Sequence, residues 1–146
     1  MNVERIVIDA SVALKWYLLD EDHTAEADAL AIGFFNGKSR LLAPALFDYE
    51  VTNTLKVAVV RNRISELDAL AAIARFQLLG IERHNFLPLQ NDAFKLTLRY
   101  QRSAYDAAYL ALAQANNTVF YTGDKRLFNA VTNVFNWVKW IGDYPV

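Results

Sequence analysis

Short runs of apolar, often β-branched residues alternate along this chain with longer stretches of helical periodicity. Arg5-Ile6-Val7-Ile8 is the first such run, and Thr118-Val119-Phe120-Tyr121-Thr122 has the same character. Between them, apolar residues recur at intervals of three and four, as in helices that bury one face. Strands that alternate with helices build a mostly parallel sheet covered on both faces. The sequence therefore predicts an α/β fold, a three-layer α/β/α sandwich with a mostly parallel central sheet.

The predicted elements follow one another without a long interruption. Strands are predicted at 5–8, 41–43, 118–122 and 135–141, with a brief extended piece at 87–89. Helices are predicted at 12–19, 24–36, 45–60, 65–79, 91–101 and 105–116, with a short one after Gly123-Asp124. Pro44 is expected as the first residue of its helix, where proline is favoured. No repeat, low-complexity tract or linker divides the chain, so residues 1–146 are predicted to form a single domain.

The composition restricts the chemistry that the chain can perform. Cysteine is absent and His23 and His84 are the only histidines, so thiolate and histidine-rich zinc sites are not expected. A chain without cysteine fits a reducing cytoplasm, and no apolar run predicts a signal peptide or a membrane-spanning helix. A net charge of -1 excludes a globally basic nucleic-acid binder but permits a local basic patch. We therefore expect a cytoplasmic protein that is not bound to a membrane.

Two aspartates follow predicted strands. Asp9 comes directly after Ile8, and Asp124 lies two residues after Thr122. In open α/β sheets the functional crevice lies beyond the carboxyl ends of the strands, which makes both residues candidates for a site there. Each is equally suited to cap the helix that follows it, so the local sequence leaves both roles open.

Two further acids lie on predicted helices. Glu50 follows an apolar turn and precedes a polar one, and a solvent-exposed edge position remains open for it, with Asp48 as the rival acid on that helix. Asp106 follows Ser103 by three residues, which resembles a capping box. Asp68 follows a serine at the same spacing, so the local pattern does not distinguish a capping aspartate from a functional one.

Carboxylates that converge on one place need a counter-ion. Two of them about 4 Å apart repel by roughly 4 kcal/mol at an effective dielectric near 20, and a divalent cation removes that repulsion. Oxygen ligands alone indicate Mg²⁺ or Mn²⁺ and suit metal-assisted phosphodiester hydrolysis. The sequence has no Gly-rich phosphate loop, and Asp9 lacks the second aspartate two residues later that an aspartyl-phosphate phosphatase would use.

Four motifs, in order and spacing, resemble those of a PIN-domain ribonuclease, and most closely a VapC-like toxin of a toxin–antitoxin pair. They span about 6–127 and are Ile8-Asp9-Ala10-Ser11-Val12-Ala13-Leu14-Lys15-Trp16, Ala43-Pro44 through Tyr49-Glu50-Val51 to Asn53 and Leu55, Tyr105-Asp106-Ala107-Ala108-Tyr109-Leu110-Ala111-Leu112-Ala113, and Thr122-Gly123-Asp124-Lys125-Arg126-Leu127. Gly123 departs from the pattern, where a residue such as alanine is expected, and the segment after Asn129 matches no motif.

The resemblance implies a metal-dependent endoribonuclease. It implies that four acids converge on one Mg²⁺ or Mn²⁺ ion, namely Asp9, Glu50, Asp106 and Asp124. It further implies that Ser11, Asn53 and Thr122 support these ligands by hydrogen bonds. The partners that it implies are an RNA substrate, a second copy of the chain in a homodimer, and a cognate antitoxin whose tail lies across the early helices and the active-site groove.

Basic and aromatic residues near these motifs have two interpretations each. Lys15, Lys125 and Arg126 are candidates to approach substrate phosphates, or are ordinary solvated side chains. Four aromatic residues are candidates for the antitoxin contact or for the core, namely Trp16, Tyr17, Phe34 and Phe35. Two other functions remain open: a catalytically inactive PIN-like scaffold that only binds its partner, and a metal-dependent phosphatase.

Overall fold

Five parallel strands form the central sheet of the protein, whose computed structural model describes residues 3–146. The strands are β1 (Glu4–Ile8), β2 (Ser39–Pro44), β3 (Glu82–His84), β4 (Val119–Thr122) and β5 (Val138–Trp140). Their order in the sheet is β3-β2-β1-β4-β5, and every neighbouring pair is parallel. The central strand β1 buries Ile6, Val7 and Ile8 completely, as a strand covered on both faces requires. The predicted α/β/α sandwich is confirmed.

Within the described residues 3–146, seven helices surround this sheet. They are α1 (Ala10–Ala13), α2 (Thr24–Phe35), α3 (Leu46–Val60), α4 (Glu66–Leu78), α5 (Gln90–Tyr100), α6 (Ala104–Ala115) and α7 (Lys125–Val131). Helix α6 packs against β1, β2 and β4, and its residues 107–113 are all buried. Its run of alanines lets the helix lie close to the sheet. Within the described part of the chain, no helix is both long enough and apolar enough to cross a membrane.

The structure corrects several predicted boundaries. Residues Leu87–Leu89 form a 3-10 turn containing Pro88 and not an extended piece. Pro44 ends β2, where it pairs with His84, and does not begin α3. The predicted helix at 12–19 begins at Ala10 and ends in a 3-10 turn, Leu14–Trp16. The last strand is confirmed only at its centre, Val138–Trp140.

Strand β3 is absent from the predicted elements. Its three residues, Glu82, Arg83 and His84, are polar and only half-buried. An edge strand of this length has no apolar alternation to mark it, and it owes its position to pairing with β2. Strand β3 makes the sheet one strand wider than predicted, and the edge that carries the acids is unchanged.

Two neighbouring strands end together at that edge. Ile8 pairs with Tyr121. Asp9, directly after β1, and Thr122, the last residue of β4, therefore lie at the same level of the sheet. Helix α1 begins directly after Asp9, and α7 begins directly after Asp124. The chain therefore leaves β1 and β4 side by side into two helix N-termini.

Candidate metal centre in an acidic cleft

A cleft of about 210 Å³ opens beyond the carboxyl ends of β1 and β4. Its lining includes all four predicted acids, which come from four separate parts of the chain: Asp9, Glu50, Asp106 and Asp124. Ser11 also lines it, as predicted from the resemblance. Glu21, Thr54 and Tyr109 line it without having been predicted.

Asp9 is the buried centre of this cleft. Its Oδ1 accepts hydrogen bonds from Ser11 Oγ at 2.5 Å and from the Val12 amide at 3.2 Å, the latter bond capping α1. Its Oδ2 accepts from Thr122 Oγ1 at 2.5 Å. Both carboxylate oxygens are therefore held in place, which is the support that a metal ligand requires. Asp9 is thus a helix cap and a member of the cleft at once.

The two hydroxyl groups on Asp9 are oriented by the backbone of the β4–α7 turn. Ser11 Oγ accepts from the Gly123 amide at 2.8 Å, and Thr122 Oγ1 accepts from the Asp124 amide at 3.0 Å. Because each hydroxyl oxygen accepts a hydrogen bond from a backbone amide, its own proton is directed to Asp9. This chain of bonds ties the turn that carries Asp124 to the strand end that carries Asp9.

Glu50 enters the cleft from α3 and is held by Tyr109 of α6. The Tyr109 hydroxyl donates a short hydrogen bond to Glu50 Oε1, and its ring stacks on Phe120 with centroids 5.5 Å apart. Burial and the nearby Glu50 and Asp9 charges raise the pKa of Tyr109, so the phenol stays protonated as the donor. The rival acid Asp48 is exposed and bonds Arg83 at 3.0 Å, outside the cleft. Periodicity could not separate the two acids, but the fold does.

Asp106 lies in the first turn of α6, and Ser103 caps that helix. Ser103 Oγ accepts from the Asp106 amide at 3.0 Å, and Ser65 Oγ accepts from the Asp68 amide at the same distance in α4. Within the described chain, neither aspartate carboxylate bonds back to its serine, so the predicted reciprocal capping box is only half formed. In α4 the N-cap is therefore Ser65 and not Asp68. The Asp106 carboxylate is left for the cleft.

Asp124 combines the two roles that its sequence left open. It is the N-cap of α7, where its Oδ1 accepts from the Arg126 amide at 3.0 Å and the Leu127 amide at 3.2 Å. Its carboxylate also lines the cleft. Helix capping therefore fixes the direction of a cleft carboxylate here.

Burial and mutual repulsion raise the pKa values of three of these acids. Burial is the largest cause for Asp9, opposed by hydrogen bonds from Ser11 and Thr122, while Asp124 adds repulsion. Burial also raises the pKa of Glu50, with repulsion from Asp9 and Asp106, although the bond from Tyr109 opposes it. For Asp106, burial raises the pKa, Arg102 lowers it and Asp124 raises it. The carboxylates are thus close enough to act on one another.

The donor set fits a hard divalent cation. Carboxylate and hydroxyl oxygens line the cleft, and its described lining residues include no nitrogen or sulfur ligand, which favours Mg²⁺ or Mn²⁺ over zinc. Over residues 3–146, no three Asp, Glu or His side chains converge tightly enough to ligate one ion as they stand.

Asn53, which the resemblance places beside the metal ligands, and Lys15, a candidate phosphate contact, are not among the residues that line the cleft. Asn53 is exposed on α3 and lines a separate depression with Asp48 and Lys56, whereas Thr54, four residues from Glu50, takes the place in the cleft. Lys15 is buried, and its Nζ donates to the Asp22 carbonyl at 2.6 Å. Because this ammonium group is buried and bonded to the backbone, its observed role is to hold the loop before α2.

The remaining candidates are spread over the surface and the core. Lys125 places its Nζ 3.4 Å from the centroid of the Trp140 ring, and Arg126 is exposed beside it. Trp16, Tyr17 and Phe34 pack partly buried against the core. Phe35 is 67% exposed. Three of the four aromatic residues thus contact the core while part of each side chain stays exposed.

Sequence reasoning missed Glu21 and Tyr109 for different reasons. Tyr109 follows Asp106 by three residues, so helical spacing was a usable signal that places both on one face. Glu21 lies in an irregular loop after Leu18, where no periodicity predicts direction. Its position depends on contacts with a distant part of the chain.

Comparison with known proteins agrees with the fold. The PIN domain model matches residues 6–133. Ribonuclease VapC12 of Mycobacterium tuberculosis is 34% identical over 122 residues, which are 84% of this chain and 88% of VapC12. The chain is thus an α/β protein of a known class, with a carboxylate-lined cleft at the edge of a five-stranded parallel sheet. The chain is a member of the PIN-domain family.

Two solved structures share the fold at low sequence identity. PAE2754 from Pyrobaculum aerophilum superposes with a TM-score of 0.69 at 19% identity, over 95% of this chain and 84% of that protein. VapC20 of Mycobacterium tuberculosis, described as a sarcin-ricin loop cleaving toxin, superposes with a TM-score of 0.61 at 17% identity, over 86% and 94% respectively. At these identities the likeness extends to the architecture alone.

Proposed function

We propose that this protein is a metal-dependent endoribonuclease and the toxin of a toxin–antitoxin pair. One observation carries the proposal: Asp9, Glu50, Asp106 and Asp124 come from four separate segments and line the same cleft. The similarity to VapC12, which is named a ribonuclease, supports the same activity. RNA is the substrate in this proposal, and the bond cleaved is a phosphodiester.

The four carboxylates are the proposed ligands of Mg²⁺ or Mn²⁺. When bound, such a cation balances negative charge on the phosphate and makes a water molecule more acidic. Ser11 and Thr122 hold Asp9 in one orientation, and Tyr109 does the same for Glu50. Tyr109 bonds Oε1 of Glu50, and we assign Oε2 to accept a proton from the attacking water. Asn53 remains a proposed supporting residue outside the observed cleft.

The proposed partners follow from this function. A cognate antitoxin binds across the early helices, where exposed Phe35 is a candidate contact, and the toxin works as a homodimer in the cytoplasm, where its RNA lies. Lys125 and Arg126 are the proposed phosphate contacts beside Asp124. We propose Lys15 only as a support of the loop before α2, through its bond to the Asp22 carbonyl, because its ammonium group is buried.

The test is an assay of the purified chain with Mn²⁺ and with EDTA. We expect cleavage of structured RNA only with metal, no hydrolysis of a generic phosphomonoester, and loss of cleavage in Asp9→Asn and Glu50→Gln. Asp48→Asn is the matched control on α3 and is expected to cleave normally. Hydrolysis of the phosphomonoester without RNA cleavage would indicate a phosphatase. A folded protein that binds a small co-expressed partner and cleaves neither substrate would indicate an inactive scaffold.

A further inference from the structure

Arg63 is fixed in place by the end of helix α3. Its amide donates to the Ala58 carbonyl at 2.8 Å and the Asn62 amide donates to Val59 at 3.0 Å, a pair of bonds that closes the helix. Asn62 has a φ of 58°, the left-handed conformation that such an ending requires. The Arg63 side chain therefore starts from a rigid backbone position.

Its guanidinium is held by two acids of the loop before α2. Arg63 Nε and Nη2 donate to the two oxygens of Asp20 at 2.9 and 2.8 Å, and Nη2 also donates to Glu21 Oε2 at 3.2 Å. Glu21 also lines the acidic cleft, so one side chain links the guanidinium to the cleft. Only 28% of the Arg63 side chain is exposed. The bidentate pair with Asp20 favours one orientation of the guanidinium before any ligand binds.

One edge of the guanidinium has no protein acceptor. Among residues 3–146, no side chain or carbonyl accepts a hydrogen bond from Arg63 Nη1, although Nε and Nη2 are both engaged. A planar guanidinium held by carboxylates on one side presents its other donors in a fixed direction, which suits a phosphate.

The cleft needs such a cation. Five carboxylates line it, those of Asp9, Glu21, Glu50, Asp106 and Asp124, and a polyanionic substrate must approach them. Lys15 is bonded to a backbone carbonyl, and the phosphate contacts proposed above, Lys125 and Arg126, both lie in the first turn of α7 beside Asp124. Arg102 also reaches a cleft acid, but at 3.9 Å from Asp106 it is held less firmly.

We propose that Arg63, oriented by Asp20 and Glu21, binds a phosphate of the RNA that flanks the bond cleaved in the cleft. This inference rests on the proposed ribonuclease function and adds a substrate contact to it. Glu21 and Asp20 are positioning residues in this arrangement, since they act through the guanidinium. The contact is to the backbone and is independent of the RNA sequence.

The experiment compares Arg63→Met with Arg40→Met. Arg40 makes an equivalent two-bond pair with Glu82 at 2.8 and 2.7 Å, between β2 and β3 and outside the cleft lining. With Mn²⁺, we expect Arg63→Met to raise KM for RNA about tenfold with kcat nearly unchanged, and Arg40→Met to leave both unchanged. Arg63→Lys should recover part of the KM effect, because it keeps the charge and loses the planar fork.

Binding of a labelled single-stranded RNA in EDTA gives a second readout that does not depend on cleavage. Loss of one phosphate contact should reduce the slope of log K against log salt by about 0.7. The triple variant Asp20→Asn, Glu21→Gln, Arg63→Met removes the unpaired carboxylates as well. It should still bind weakly if Arg63 contacts the phosphate directly.

Three outcomes overturn the inference while wild type cleaves RNA. These are an unchanged KM in Arg63→Met, a salt slope equal to that of Arg40→Met, and full recovery of binding in the triple variant, which would make Arg63 a mere charge shield. Should Arg63→Met fail to fold, the KM of Arg63→Lys decides, because loss of the planar fork should raise it above the wild-type value and an unchanged KM overturns the inference. If wild type itself neither binds nor cleaves RNA, the proposed function fails and this contact fails with it.

Discussion

Asp106 and Asp68 occupy the same position in their helices and differ in what surrounds their carboxylates. Each donates its amide to a serine cap at 3.0 Å, but only Asp106 lines the cleft, where burial raises its pKa. We expect Asp106→Asn to abolish Mn²⁺-dependent RNA cleavage. The serine cap remains, so the cost to the helix itself should be at most about 1 kcal/mol. In EDTA at neutral pH, the variant should melt no lower than wild type, since it loses a carboxylate that the fold disfavours.

Asp68→Asn is the control for that substitution. It changes an exposed carboxylate in the first turn of α4, and neither cleavage nor the response of melting to metal should change. RNA cleavage and melting curves with and without Mn²⁺ measure both. Cleavage at the wild-type rate in Asp106→Asn, or loss of cleavage in Asp68→Asn, would contradict the proposed metal centre.

Gly123 departs from the family pattern for a reason that its neighbours supply. A Cβ at this position would lie 2.9 Å from Ser11 Oγ, 3.1 Å from Lys15 Cε and 3.2 Å from the Ser11 carbonyl oxygen. We expect Gly123→Ala to cost roughly 1–3 kcal/mol by overpacking. It should also lower RNA cleavage, because the displaced Ser11 orients Asp9.

Gly33→Ala provides the comparison, inside helix α2. There a Cβ would meet its nearest atoms at 3.7 and 3.8 Å, an ordinary contact. Alanine in a helix interior should raise stability by roughly 0.5–1 kcal/mol. Thermal melting of the two variants should therefore shift in opposite directions, and a stabilised Gly123→Ala would show that Ser11 and Lys15 yield easily.

At the scale of elements, the sequence predicts what is periodic and misses what is not. The long helices α3, α4 and α6 carry a clear apolar face, and their predicted ends lie within two residues of the observed ones. Strand β3 is short, polar and placed only by pairing with β2, so no local pattern marks it. The turn at Leu87–Leu89 was misread because proline and leucine suit an extended segment as well as a 3-10 turn.

The turn between α5 and α6 contains a residue in a costly backbone conformation. Gln101 has a φ of 51°, and this turn leads directly to the Ser103 cap and Asp106. The left-handed region costs a residue with a Cβ roughly 1–2 kcal/mol, and glycine avoids most of that cost. We expect Gln101→Gly to raise stability by about 0.5–1 kcal/mol without loss of RNA cleavage.

Asn117 is the matched position at the end of α6. Its φ is 49°, but asparagine tolerates this conformation better than glutamine. Asn117→Gly should therefore change the melting temperature less than Gln101→Gly does. Denaturant unfolding of both variants tests the order, and an equal or reversed gain would mean that the Gln101 side chain stabilises the turn by contacts of its own.

At the scale of the whole molecule, the site combines predictable and unpredictable parts. The two acids after strands are predictable because parallel strands share one carboxyl edge, and this holds for Asp9 and Asp124. Glu50 and Asp106 reach the same edge only through helix packing, which the sequence alone leaves open and the family resemblance supplied. The contact of Arg63 with Asp20 joins residues 43 apart along the chain. Such a contact depends on how two loops meet, and no local pattern encodes it.

The last prediction concerns the stability of the entire domain. A cation that binds only the folded cleft stabilises it by about 2.7 kcal/mol at a hundredfold excess over Kd. For a domain of this length, that corresponds to a rise in Tm of roughly 5–10 °C. We expect millimolar Mn²⁺ to raise the Tm of wild type at neutral pH, because the cation relieves the repulsion among carboxylates of the cleft.

Asp106→Asn separates the cleft from unspecific metal binding in that experiment. This variant should lose most of the Mn²⁺-induced shift, whereas Asp48→Asn, which changes an exposed acid outside the cleft, should keep it. Differential scanning calorimetry with Mn²⁺, with Mg²⁺ and with EDTA measures all three proteins. Equal shifts in wild type and Asp106→Asn would place the bound cation elsewhere on the surface. The absence of a shift in wild type would contradict the proposed metal site, because no cation would then balance the five carboxylates of the cleft.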